Sequence, residues 1–151
     1  VGKHKGTAFL EVYQNCNIFN DGAFEVLTEK ETKDENVLVL EHGKPMVFGK
    51  DGNKGIKLDG FTPKVVDLSS GQYSKDDLWI HDEFDESYAR SAILSSFTET
   101  PGFPTPIGVF RQVFKPTYDQ GLVAQIDNIK KKKGEGDLTK VLFGGNTWEV
   151  N

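Results

Sequence analysis

The stretch Thr7 to Tyr13 is almost continuously apolar, β-branched or aromatic, broken only by Glu11. A run of this kind has no wet face, so it predicts a strand covered on both sides, the type found in parallel sheets of α/β domains. It gives way abruptly to the polar residues Gln14, Asn15, Cys16 and Asn17. In open α/β sheets ligands collect just beyond the carboxyl ends of the strands. Asn15, Cys16, Asn17 and Asn20 are therefore expected at the position where chemistry is done, and a thiol there suits a soft metal.

A chain of 151 residues suffices for one domain with a genuine core, since a domain of this size buries about 70% of its unfolded surface. The formal net charge of −5 leaves no electrostatic footprint for nucleic acid or an anionic membrane. One cysteine, Cys16, excludes an intramolecular disulfide and fits a reducing, cytoplasmic compartment. No apolar run approaches the roughly 20 residues needed to cross a bilayer. Val1-Gly-Lys-His-Lys lacks the hydrophobic region of a signal peptide. Entering a buried-type strand so soon after a first residue that is not methionine suggests a piece of something longer.

Beyond the Cys16 loop, Ala23 to Leu27 predicts a short helical turn, and the charged stretch Thr28 to Asn36 a solvated loop. Val37 to Leu40 and Lys44 to Phe48 are short apolar runs separated by turn residues. The alternation of Ile56 and Leu58 with Lys57 and Asp59, followed by Gly60 and then Lys64 to Leu68, predicts a β-hairpin with one wet face. Leu78 to Ile80 reads as a further short strand. Ala89, Ile93 and Phe97 recur at helical spacing, which predicts an amphipathic helix from Asp85 or Glu86 to about Thr100. The proline-rich run Pro101 to Pro106 is irregular and delivers a strand over Ile107 to Phe114. Thr117 to Gln120 has capping-box form and opens a helix with Tyr118, Leu122, Ile126 and Ile129 on one face. Lys130 to Lys133 close it beside the negative end of the helix dipole. The tail after Gly134 carries Leu138, Val141, Leu142 and Trp148, apolar residues that dock on something in most proteins.

Taken alone, Cys16 reads either as a small buried hydrophobe or as a reactive thiol. A thiol nucleophile needs a base within hydrogen-bond reach, and the spacing of His4, His42 and His81 supplies none; nor does it match a zinc site. Arg111 is a candidate for binding a carboxylate with its planar fork, although a strand arginine more often pairs with a structural acid. Lys44 and His81 have no better claim. No Gly-rich phosphate loop, Ser/His/Asp set or paired carboxylates stand out.

Five blocks carry a more specific signal: His4 to Gly22, Glu41 to Gly49, Lys54 to Gly60, Asp77 to Glu83 and Phe103 to Thr117. In colinear order, from about residue 2 to about residue 126, they resemble the β subunit of 2-oxoacid:ferredoxin oxidoreductases of the 2-oxoglutarate type, over that family's second half. The resemblance implies an α/β fold: residues 1–36 as the end of a thiamine-diphosphate-binding domain with one or few parallel core strands, and residues 37–151 as an extension of antiparallel β structure, helices and tail. It implies that Cys16 is the fourth thiolate of a [4Fe-4S] cluster and that Asn15, Asn17, Phe19 and Asn20 position cluster and cofactor. Such a cluster takes four thiolates. The other three, and the family's Gly-Asp-Gly-Asp stretch with its downstream Asn that hold thiamine diphosphate through magnesium, have no counterpart here. The expected partners are the α subunit, the missing first half of the β subunit and ferredoxin. The isolated chain is expected to bind no cofactor, to show no turnover, and to self-associate over its uncovered apolar surface. The competing expectation is a non-catalytic α+β assembly or interaction module derived from such a subunit.

Overall fold

The computed structural model describes residues 1–145 and 148–150. Two compact units emerge, Glu11–Val113 and the pair of segments Val1–Leu10 with Phe114–Asn151.

In the larger unit, alternation and turn chemistry build the sheet. Strands β1 (Val37–Val39), β2 (Val47–Phe48), β3 (Lys54–Asp59), β4 (Thr62–Asp67) and β5 (Thr105–Ile107) form two sheets. β2, β3 and β4 run antiparallel, with Ile56 opposite Val65 and Leu58 opposite Pro63 across the hairpin. Gly60 turns the hairpin at φ 62°, in the left-handed region that glycine enters without a Cβ penalty. β1 pairs in parallel with β5, Leu38 opposite Pro106, and Leu40 N–H extends the pair by donating to the Ile107 carbonyl at 2.8 Å. The mixed α/β class with a short parallel sheet and an antiparallel one is thus observed.

The expected strand at Leu78 to Ile80 is a stitch between neighbours. Trp79 N–H donates to Ile56 O at 2.8 Å and Met46 N–H to Trp79 O at 2.9 Å, while Ile80 bridges Pro45. These bonds draw together one core of Leu38, Leu40, Met46, Phe48, Ile56, Trp79, Leu94 and Phe97. Leu94 and Phe97 come from α3 (Ala89–Ser95) and the 3₁₀ turn after it. That helix starts later than expected, because Asp82 and Asp85 accept backbone N–H groups two residues on and hold the preceding chain in turns. β5 also ends earlier than expected. Gly108, at φ 129°, lies so close to β1 that a Cβ there would sit 2.9 Å from the Leu40 carbonyl oxygen.

The charged stretch after Thr28 is more than a solvated loop. α1 (Glu25–Thr28) precedes it and α2 (Lys33–Asn36) ends it against the hairpin. Asp34 O accepts from Gly49 N–H at 2.7 Å, and the Glu35 carboxylate accepts from Lys50 N–H at 2.8 Å and from Lys54 Nζ at 2.6 Å.

The strand expected at Thr7 to Tyr13 is not formed. These residues join no ladder, and Phe9, Leu10 and Val12 are exposed. A strand without a wet face requires neighbours on each side to pair its backbone and cover its side chains. The chain's own strands pair elsewhere, β1 with β5 and β2 with β3 and β4.

In the smaller unit, α4 (Tyr118–Lys133) opens with the expected capping box, Thr117 N–H donating to the Gln120 side-chain oxygen at 3.0 Å, and ends at Gly134. The face of Leu122, Ile126 and Ile129 is half exposed. α5 (Leu138–Leu142) is capped by the Asp137 carboxylate, which accepts from Thr139 and Lys140 N–H. The expected apolar tail passes through Asn146 and Thr147, which, with Asn151, lie outside the described residues.

Candidate functional site: the Cys16 loop

The polar residues after Tyr13 do not sit at the end of a parallel strand, as expected, but they do form a closed turn of their own. Asn20 N–H donates to Cys16 O at 2.9 Å, and the two residues make an isolated antiparallel bridge. Asn15 holds the turn from outside. Its Nδ2 donates to Asn17 Oδ1 and to Asp21 Oδ1, each at 2.9 Å, while its Oδ1 accepts from Gly22 N–H at 3.0 Å. Gly22 takes φ 75°, a left-handed conformation, and so aims its N–H back into the turn. Tyr13 stacks on Phe24, ring centroids 5.0 Å apart, and ties the two ends of the loop together.

This closure gives Cys16 a defined environment. The thiol is exposed, and hydrogen bonds from the backbone N–H groups of Phe19, Ile18 and Asn20 hold its pKa below the ordinary thiol value. Amide hydrogens directed at sulfur favour the thiolate, the form that ligates metal. Phe19 is 90% exposed beside it. Among the described residues no three His, Cys, Asp or Glu side chains gather into a metal-binding group. Among the described residues Cys16 is thus a single thiol without further metal-ligating side chains gathered around it.

Of the residues singled out from sequence, Asn15, Cys16, Asn17 and Asn20 are brought together, with Phe19 at the rim. Asp21 and the Ile18 amide belong with them; the turn signal Asn20-Asp21-Gly22 was the available clue. Arg111 stands apart. Its Nε and Nη2 donate to the carbonyls of Asp85 and Glu86, so it fastens the loop before α3. His81 is 3% exposed and its Nε2 meets Val109 O at 2.8 Å, a structural contact. His42 lies 3.5 Å from Asp82, His4 packs on Phe114, and Lys44 pairs with Glu41. The cleft beside His81 and Arg111, about 10 Å³, admits nothing larger than a water-sized group.

The 2-oxoglutarate oxidoreductase subunit KorB of Mycobacterium tuberculosis is 32% identical to the chain in an alignment covering 99% of the chain and 40% of that subunit. The chain is similar to this 2-oxoglutarate oxidoreductase subunit over nearly its whole length. It spans well under half of KorB, so it is compared with a part of that subunit. No family model matches the chain, and no solved structure matches it. The resemblance carried by the five blocks, over about residues 2–126, and the likeness to KorB, over 99% of the chain, agree. Among the described residues, no helix is long and apolar enough to cross a membrane.

Proposed function

We propose that the chain is part of the β subunit of a 2-oxoglutarate:ferredoxin oxidoreductase and contributes Cys16 as one ligand of a [4Fe-4S] cluster. The observation that carries this reading is the likeness to KorB over 99% of the chain. The amide-lined thiol of Cys16 supports the ligand role. In the complete enzyme, thiamine diphosphate with magnesium supplies the decarboxylation chemistry and the cluster passes electrons to ferredoxin, with acyl-CoA as product. Residues of this chain orient and insulate: Asn15, Asn17, Phe19 and Asn20 fix the loop beside cluster and cofactor.

On this reading residues 1–36 close the thiamine-binding domain and residues 37–151 form its C-terminal extension. The partners are the α subunit, the rest of the β subunit and ferredoxin, and the location is cytoplasmic. With one thiolate available, the isolated chain holds no cluster and has no turnover, and it self-associates through its exposed apolar residues.

Replacing Cys16 by Ser in the complete enzyme tests the ligand role. The expected result is loss of the cluster's visible absorbance and electron paramagnetic signal, together with a fall in 2-oxoglutarate-dependent ferredoxin reduction of at least ~100-fold, the upper range of losses on disturbing a metal site. Full iron content and unchanged electron transfer would remove Cys16 from the cluster.

A further inference from the structure

We propose that α4 is the surface through which the isolated chain self-associates: two copies pair α4 antiparallel, apolar stripe to apolar stripe, with Asp119 of each copy facing Lys130 of the other. This deepens the reading, given above, that the chain self-associates, and rests on it.

The stripe is formed but uncovered. Leu122, Ile126 and Ile129 recur at helical spacing, so they stand above one another on one side of α4, and Val123 widens that side. All four are 44–55% exposed, and no residue of the helix is buried. Both ends are fixed, by the Thr117–Gln120 capping box and by Gly134, whose N–H donates to the Lys130 carbonyl. A defined helix therefore presents the stripe.

Charge decides what covers it. α4 carries an acid, Asp119, in its first turn and lysines, Lys130 to Lys133, in its last. Parallel pairing would set the lysines of one copy against those of the other, whereas antiparallel pairing sets each lysine-rich end against the acidic start of its neighbour. The match extends to the rim of the stripe. From Asp119 to Lys130 the helix makes three turns and about 20°, so both residues lie along the same edge, about 16 Å apart along the axis. A two-fold axis perpendicular to two antiparallel helices brings that edge against its own copy, so Asp119 meets Lys130 once at each end. In the same register Leu122 of each copy falls beside Ile126 of the other. Lys130 already meets Glu135 at 3.0 Å, but that pair is exposed and an ammonium has three N–H donors, enough for two carboxylates. One pair of helices, each about 24 Å long, falls short of the roughly 1,200–2,000 Å² of a stable interface. The association is therefore reversible and concentration-dependent.

Sedimentation equilibrium of the 151-residue chain from micromolar to millimolar concentration tests the pairing. Wild type is expected to rise from 16.8 kDa toward twice that mass, while I126E, D119K and K130E each stay near 16.8 kDa over the same range. An equimolar mixture of D119K and K130E is expected to regain the wild-type curve, because the mixed pair carries opposite charges at both ends. Mixing does not rescue a variant that has merely loosened its own helix, so recovery isolates the contact between copies. Self-association that I126E leaves unchanged, or a mixture no heavier than its components, overturns the α4 pairing and leaves the broader reading of self-association in place. A wild-type chain that stays at 16.8 kDa throughout refutes both, and the stripe then belongs to a different partner.

Discussion

Val37 to Leu40 and Thr7 to Tyr13 are both apolar runs with β-branched residues, yet Leu38 is 0% exposed and Phe9 is 88% exposed. Composition does not separate them. β1 finds a parallel neighbour in β5, and the β2–β3–β4 sheet with α3 supplies the side chains that cover it. No ladder forms along Thr7 to Tyr13. An apolar strand is stable where backbone partners and covering side chains arrive together, and the described residues provide one such place.

The sharpest way to break this comparison is to truncate one side chain in each run. L38A removes a fully buried side chain and is expected to cost ~2–5 kcal/mol, measured by urea unfolding. F9A removes an exposed ring and should stay within ~0.5 kcal/mol. A large loss in F9A would mean that the first run is buried in solution and that the contrast is false. A smaller effect is expected from G55A. Leu78 lies against Gly55 so closely that a Cβ would stand 2.5 Å from its Cδ1. Relief requires Leu78 to shift beside the Trp79 stitch, an overpacking cost of ~1–3 kcal/mol. Unchanged stability in G55A would show that the core of the larger unit yields more readily than its packing implies.

What sequence made legible divides along the same line. The hairpin of β3 and β4 followed from alternation around Gly60, and α4 from its capping box and apolar spacing, since both are specified within a few residues. The Thr7 to Tyr13 strand failed because burial depends on a partner that a local pattern does not encode. α3 began late because Asp82 and Asp85 preferred turn hydrogen bonds to a helical first turn. Arg111 was legible as a hydrogen-bonding fork but not as one satisfied by the carbonyls of Asp85 and Glu86, which precede it by 26 and 25 residues. At the site, Cys16 and its asparagines stood out by type. The clasp of Asn15 on Asp21 and Gly22 did not, because side-chain bonds across a turn leave no period to read.

The smallest effect sharpens how β1 is held at its entrance. Glu35, two residues before β1, reaches Lys54 on β3, and the Lys54 ammonium, with help from the Lys50 N–H, holds the Glu35 carboxyl below the usual glutamate pKa. A carboxyl with a depressed folded-state pKa favours the folded chain in its ionised form. Its contribution is complete above the unfolded value of ~4.3 and fades as pH falls through the folded value. E35Q keeps an oxygen for Lys50 N–H but loses the charge. It is therefore expected to be slightly less stable than wild type at pH 7, with the gap closing toward pH 3, in thermal melts recorded across that range. Asp59, Asp67 and Asp77 are depressed as well, by Lys64, Ser69 and Ser74 respectively, and impose a similar acid slope on both proteins, so the difference between the two curves isolates Glu35. The pair is more than one-third exposed, so added salt should narrow the gap at pH 7. A gap that persists unchanged at pH 3 would assign the effect of E35Q to packing instead of charge, and β1 would then owe its place to the core and the β5 ladder alone.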